Sequence, residues 1–177
     1  MATLERSESE IIANATFEAL LHAMARPGKI YKLAAPGVGS IILSLLDREC
    51  TAFASDMALH GDIRATGAEL VPVDKAQFVF CDVDEVAQII PRLNEGSDYY
   101  PDDGATLIVT ASSKGDQTIT LSGPGIKGSL QITDFEICGQ AWQQRADHIR
   151  YPMGFDMVIV HGNDVVALPR STEIEVN

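Results

Sequence analysis

Two arginines stand beside prolines where regular stretches end: Arg26 in Ala23-Met24-Ala25-Arg26-Pro27-Gly28, and Arg170 in Leu168-Pro169-Arg170-Ser171. Proline restricts the backbone next to each, so the side chain starts from a defined position. The guanidinium fork matches phosphate, phosphonate or carboxylate bidentately, which lysine does not reproduce. Each arginine is therefore a candidate anchor for an anionic ligand or a partner. The competing role is a local ion pair that merely ties the fold. A third segment, Tyr151-Pro152-Met153-Gly154-Phe155-Asp156, leads through Pro and Gly into an apolar strand carrying one acid. A fourth, Gly123-Pro124-Gly125-Ile126-Lys127-Gly128, fits G-x-G-x-x-G literally. Pyrophosphate binding by that pattern needs a strand before it and a helix after it. Here Ser129-Leu130-Gln131-Ile132 follows and reads as a strand, so a glycine-dependent turn between two strands is expected, with contact to a ligand or partner as a secondary role.

Other chemistry is thin. His22, His60, His148 and His161 lie far apart without H-E-x-x-H or C-x-x-C spacing, so no metal site is expected. No nucleophile elbow and no P-loop occurs. Asp102 and Asp103 read as a solvated turn rather than a desolvated acid–base pair. The five lysines, Lys29, Lys32, Lys75, Lys114 and Lys127, have no cofactor context. No residue is assigned a catalytic role, and no cofactor is expected.

These segments must be positioned by regular elements. Ser7 with Glu10 makes a capping-box pattern; Ala13, Phe17, Leu20, Leu21 and Met24 then predict one apolar helical face, ended by Pro27 and Gly28. A short helix is predicted over Gly39–Leu46 and a strand over Thr51–Ala54. The stretch Asp56–Val71 is predicted irregular or partly helical. Gln77–Cys81 reads as a buried strand, followed by a helix capped by Asp82 and Glu85 and ended by Gly96. Thr106–Thr110 and Thr118–Leu121 read as a hairpin around Lys114-Gly115-Asp116. A helix over Cys138–His148, a strand over Phe155–Val160, a turn at 161–164 and a returning strand over Val165–Leu168 complete the pattern, with a frayed tail from Ser171. The result is α/β: a mixed sheet covered by helices, in one domain over residues 1–177.

Charge narrows the function classes. The chain of 177 residues carries 13 Lys+Arg against 25 Asp+Glu, net −12, which disfavours nucleic acid and anionic membrane surfaces as partners. The odd, scattered Cys50, Cys81 and Cys138 form no disulfide framework, and Met1–Glu10 has no apolar signal region. A cytoplasmic location is expected.

Taken in order, Phe17-x-x-Leu20-x-x-Ala23-Met24-x-Arg26-Pro27-Gly28, Leu121-Ser122-Gly123-Pro124-Gly125-Ile126, Pro152-x-Gly154-x-Asp156 and Leu168-Pro169-Arg170 resemble the H subunit of the carbon–phosphorus lyase system for phosphonate use. The likeness spans residues 17 to 172. Tyr151 stands where the family usually shows Phe and Ser171 where it often shows Thr, and Ala54 to Val73 resembles the family least. The resemblance implies a homodimer that joins the G, I and J subunits in a core complex. That complex transfers a phosphonate to the ribose C1 of ATP, releasing adenine and forming a ribose 1-phosphonate 5-triphosphate. It implies a three-layer fold similar to a reduced large domain of pyridoxal-phosphate transferases. It also marks Arg26, Pro27, Gly28, Gly123, Gly125, Tyr151, Gly154, Asp156 and Arg170 as candidates for binding a partner, a phosphonate or a nucleotide. Two other functions stay open: a homodimeric binding module for phosphorylated metabolites, and an independent pyridoxal-phosphate enzyme, which would need a Schiff-base lysine.

Overall fold

A computed structural model describes residues 7–112, 115, 117–133 and 136–176. Helix α1 (Glu8–Ala25) opens with the expected capping box: Ser7 Oγ accepts from the Glu10 N–H, and Glu10 Oε2 accepts from the Ser7 N–H. After it come β1 (Tyr31–Lys32), α2 (Gly39–Leu45), β2 (Thr51–Ala54), α3 (His60–Thr66), β3 (Glu69–Leu70), β4 (Phe78–Asp82), α4 (Val86–Ile89) and β5 (Thr106–Thr110). Then β6 (Thr118–Ser122), β7 (Ser129–Thr133), α5 (Gly139–His148), β8 (Asp156–His161), β9 (Asp164–Leu168) and β10 (Glu173–Val176) finish the chain.

Seven strands form one sheet in the order β1-β9-β8-β5-β4-β2-β3, parallel from β3 through β8, with β9 and β1 antiparallel. The central strands are continuous apolar runs because both their faces are covered. Alternation sorts them into two cores. Phe80, Ile108, Val158, Val160, Val165 and Ala167 face α1, α2 and α3 through Leu20, Ala23, Ile41, Ile42 and Ile63. Val79, Leu107, Val109, Met157, Ile159 and Leu168 face α4, α5 and a second sheet through Val86, Ile119, Leu121 and Trp142. That second sheet has the order β10-β6-β7 and is antiparallel. The architecture is thus α/β, a mixed sheet between layers, and one outer layer is part helix and part sheet.

Several expectations are corrected. Strands β5 and β6 are not a hairpin: β5 pairs with β4 and β8, whereas β6 pairs with β7 and β10. The residue pattern explains this, since Thr106–Thr110 is apolar on both faces while Thr118–Ser122 alternates and needs cover on one. The turn residues Lys114 and Asp116 lie outside the described residues. The tail is not frayed, because Glu173–Val176 pairs with Ser122–Ile119. Residues 56–71 are partly helical as expected, with a 3-10 turn at Met57–Leu59 running into α3, and the short edge strand β3 is added to that reading. The helix expected after β4 keeps its Asp82–Glu85 capping box but breaks into α4 flanked by 3-10 turns at Val83–Glu85 and Ile90–Arg92, with Pro91 preventing a continuous helix. On α1 the buried side is Thr16, Ala19, Leu20 and Ala23, so Phe17 and Leu21 point outward.

Burial, aided by the charges of Glu85 and Asp82, pushes the Cys81 thiol in β4 up to about 12. Thiolate is the reactive form, so iodoacetamide at neutral pH should label the exposed Cys138 and spare Cys81 until the protein is denatured. Mass spectrometry of the alkylated native protein checks this; equal labelling of both would show that β4 opens.

Candidate functional site

The four sequence segments converge at one end of the large sheet. Gly28 is buried behind α1, where its N–H donates to the Ala167 carbonyl at 3.3 Å, and a Cβ there would lie 2.5 Å from Leu121 Cδ1 and 2.9 Å from Leu130 Cδ2. The loop 123–128 joins β6 to β7 as a strand-to-strand turn, so G-x-G-x-x-G forms no phosphate-binding helix start. A Cβ on Gly125 would meet the Ala25 carbonyl oxygen at 2.6 Å and Pro27 Cδ at 2.8 Å, and one on Gly123 would meet the Ser171 carbonyl oxygen at 2.7 Å. Backbone thus packs on backbone between the end of α1, the 123–128 turn and the turn from β9 to β10.

Arg170 locks the remaining segment in place. Its Nη2 donates to Asp156 Oδ2 at 2.8 Å, its Nε lies 3.3 Å from both Asp156 oxygens, and its backbone N–H donates to Asp156 Oδ1 at 2.8 Å. The other donors reach the Pro101 and Gly104 carbonyls. Both side chains are mostly buried, at 14% and 17% exposure. Gly104 is pressed between them and the neighbouring loop: a Cβ would come within 2.1 Å of the Gly154 carbonyl oxygen and 2.6 Å of Arg170 Nη1. Gly154 in turn donates to the Glu95 carbonyl at 2.8 Å. The Arg170 guanidinium is therefore committed inside the fold. Arg26, at the end of α1, is exposed, and its backbone N–H closes onto the His22 and Ala23 carbonyls. The two arginines do not form one anion clamp.

Beside this knot lies a cavity of about 580 Å³, lined by Trp142, Arg145, Ile149, Tyr151, Arg170 and Thr172, among others. Arg145 was not marked by any motif, yet it is 3% exposed. Its Nη1 donates to the Thr172 carbonyl at 3.1 Å and its Nη2 to the Pro169 carbonyl at 2.9 Å and the Leu168 carbonyl at 3.4 Å. Among the described residues its Nε has no partner, and neither have Trp142 Nε1 and Thr172 Oγ1, all three buried. Each such orphan costs about 1–3 kcal/mol. Burial lowers the Arg145 guanidinium to about 10, against which nearby Asp156 favours the charged form; it is charged at neutral pH. The only hint in the sequence is a lone arginine inside an otherwise polar helix, which gives no sign of burial.

A smaller cavity, about 210 Å³, opens at the carboxyl ends of β2, β4 and β5 and is lined by Ser55, Asp56, Cys81, Asp82 and Thr110. Ligands in open α/β sheets commonly occupy such a switch point. Here the lining is acidic: partial burial, then the charges of Glu85, Asp56 and Asp84, raise the Asp82 carboxyl above its ordinary value. That acidic lining disfavours an anion. The four described lysines, Lys29, Lys32, Lys75 and Lys127, are all exposed and line neither cavity; Lys114 lies outside the described residues. Among the described residues no group of three or more His, Cys, Asp or Glu could hold a metal ion.

The family model for the bacterial phosphonate metabolism protein PhnH matches residues 8–175. The chain belongs to the PhnH family. One relative is a putative C-P lyase subunit protein, HtxG, of Stutzerimonas stutzeri, 32% identical over 164 residues, covering 89% of this chain and 83% of the relative. Another is the alpha-D-ribose 1-methylphosphonate 5-triphosphate synthase subunit PhnH of Rhizobium meliloti strain 1021, 28% identical over 187 residues, covering 92% of this chain and 90% of the relative. The PhnH match takes in every segment of the knot, from Arg26 to Arg170, and also Arg145.

Breaking one partner of a mostly buried ion pair costs on the order of 3 kcal/mol. Arg170→Lys should therefore lower the melting temperature by roughly 10 °C in a chain of this length, because an ammonium cannot serve Asp156 and two carbonyls together. A melting curve that matches the parent would show the pair to be idle. Gly125 has φ +82, and a side chain there also strikes a backbone oxygen. Gly125→Val should cost about 2 kcal/mol or more, readable as a lower urea midpoint.

Proposed function

We propose that the chain is a subunit of the carbon–phosphorus lyase core complex in organic phosphonate catabolism. It supports transfer of a phosphonate to the ribose C1 of ATP, with release of adenine and formation of a ribose 1-phosphonate 5-triphosphate. It acts as one domain and works only in the assembly, with the G, I and J subunits and a second copy of itself as partners. Membership in the PhnH family and the names of the two relatives support the reaction.

The uncovered face of α1 supports the assembly and carries the reading. Ile11, Phe17 and Leu21 are 55%, 52% and 57% exposed. Phe17 and Leu21 are one helical turn apart. Leu43 is exposed as well, on α2, the helix packed against α1 through a Ser44 Oγ bond to the Ala13 carbonyl. Large apolar side chains on one outward helix face mark interaction surfaces. With a net charge of −12, two copies repel each other over most of their surface, so self-contact requires a face poor in charge. Phe17 and Leu21 give such contact an apolar patch, with the exposed Glu18 beside it, and the second copy docks there.

The homodimeric binding-module alternative would use the second copy as well, and it differs in predicting no co-elution with the other subunits. The pyridoxal-phosphate alternative would require a lysine beside a cavity; the proposed likeness of fold to a reduced large domain of pyridoxal-phosphate transferases carries no such requirement.

Phe17→Glu combined with Leu21→Glu should convert a dimer into a monomer in light scattering while the far-ultraviolet circular dichroism stays unchanged. Purified together with tagged G, I and J subunits, the parent chain should co-elute at a fixed ratio. A parent chain that is monomeric at micromolar concentration and elutes apart from those subunits would sink the proposal.

A further inference from the structure

We propose that the loop 94–105, which leads into β5, and the groove beside it form a docking surface for a basic segment of a partner protein, one that presents arginine side chains. The surface goes beyond the subunit role and is tested on the isolated chain, so a failure of assembly and a failure of this site are separate results.

The loop is held from within and turns its aromatic side chains to water. Ser97 and Tyr100 exchange backbone hydrogen bonds at 3.0 and 3.1 Å, which puts Asp98 and Tyr99 at the tip of a tight turn. Gly96 permits the turn with φ +76, since a Cβ there would lie 2.9 Å from the carbonyl oxygens of both Tyr100 and Pro101. The Ala105 N–H donates to the Asn94 carbonyl at 2.8 Å and closes the loop. Arg170 holds the Pro101 and Gly104 carbonyls. On this frame Tyr99 is 90% exposed and Tyr100 64%. Side chains so exposed do little for the fold. On a fixed backbone they are suited to binding, because a tyrosine offers a large contact area and has little freedom left to lose.

Charge selects the occupant. Asp98, Asp102 and Asp103 are exposed, and none of them joins an ion pair among the described residues. No Lys or Arg occurs between Arg92 and Lys114. The cation that does reach the loop, Arg170, is matched by Asp156. Beside Asp102 and Gly104 the surface dips into a groove of about 400 Å³, lined also by Asp47, Glu49, Gln77 and Phe78 and by no basic residue. Carboxylates and exposed aromatic faces therefore adjoin. A guanidinium uses both, bonding carboxylates along its edge and stacking its flat face on a ring, whereas an ammonium lacks the flat face and the fork. A second copy of this chain, at net −12, would meet like charge here. An apolar partner would bury carboxylates without a counter-charge. The fitting occupant is a different, basic protein.

Fluorescence anisotropy with a labelled peptide of alternating glycine and arginine tests this on the purified chain at physiological salt. The arginine peptide should bind saturably and more tightly than a glycine–lysine peptide of equal charge, and a glycine–glutamate peptide should not bind. Tyr99→Ala with Tyr100→Ala leaves every charge in place and should weaken the arginine peptide roughly fivefold to thirtyfold, the range for two exposed cation–π contacts. Asp98→Asn, Asp102→Asn and Asp103→Asn together should weaken it more than Asp62→Asn, Asp74→Asn and Asp84→Asn, which remove as much charge from exposed positions elsewhere. All of these side chains are exposed, so the melting curves should match the parent. Equal weakening by the two triple variants would show a diffuse attraction to an acidic chain and overturn the proposal. Parent-like affinity in the tyrosine variant, or no saturable signal with the arginine peptide, would overturn it equally.

Discussion

The ion pair between Arg170 and Asp156 holds together parts of the chain that nothing in local structure would bring near each other. Asp156 begins β8, Arg170 follows β9, and the two carbonyls that complete the guanidinium shell come from the loop before β5. Three connections are thereby fixed at one end of the sheet. The turn that starts at Arg170 then delivers β10 to β6, and with it the whole second sheet reaches the face of the first. A pair in this position contributes more through geometry than through net energy, since removing two charges from water offsets much of their attraction. What it determines is where the backbone goes.

Around that pair, space is filled by main chain rather than side chain. Gly104 lies under Arg170 and against Gly154; Gly123 and Gly125 let their turn touch residues 171 and 25; Gly28 lets the end of α1 slip beneath Leu121. The glycines singled out in the sequence thus have a shared reason, which is contact between chain segments too close for a Cβ. The cavity is a by-product of the same arrangement. The β9–β10 turn crosses over α5 on carbonyl oxygens that Arg145 holds from below, and the space beside that crossing is lined by Trp142 and Tyr151.

Much of the large sheet was legible in the sequence because its signals are local. Continuous apolar runs at Phe78–Cys81, Thr106–Thr110 and Met157–Val160 announce strands covered on both faces, and Ser7 with Glu10 announces the start of α1. Pairing was not legible. Nothing in Thr118–Ser122 says that, besides β7, it takes a partner more than fifty positions later rather than the strand before it, and the short Glu173–Val176 looks like any polar tail until β6 is placed beside it. The face of α1 was misread because its stripe of apolar residues is wider than the side that is buried, so Phe17 and Leu21 could be assigned inward by spacing alone. Of the site, the segments that touch were readable as Gly and Pro punctuation. Arg145 was not, since burial of a helical arginine depends on a turn that arrives from the far end of the chain.

Strand β9 lies between β1 and β8, and β10 completes the second sheet. The large sheet is complete only once β9 is made, and the second only once β10 is. The early half of the chain, with α1, α2, β2 and the edge strand β3, has its apolar side open while the rest is made. Long-range pairing of this kind is slow and leaves sticky intermediates. Removing Glu173–Val176 would strip β6 of one of its two partners, so the second sheet depends on a strand that is made more than fifty positions after β6.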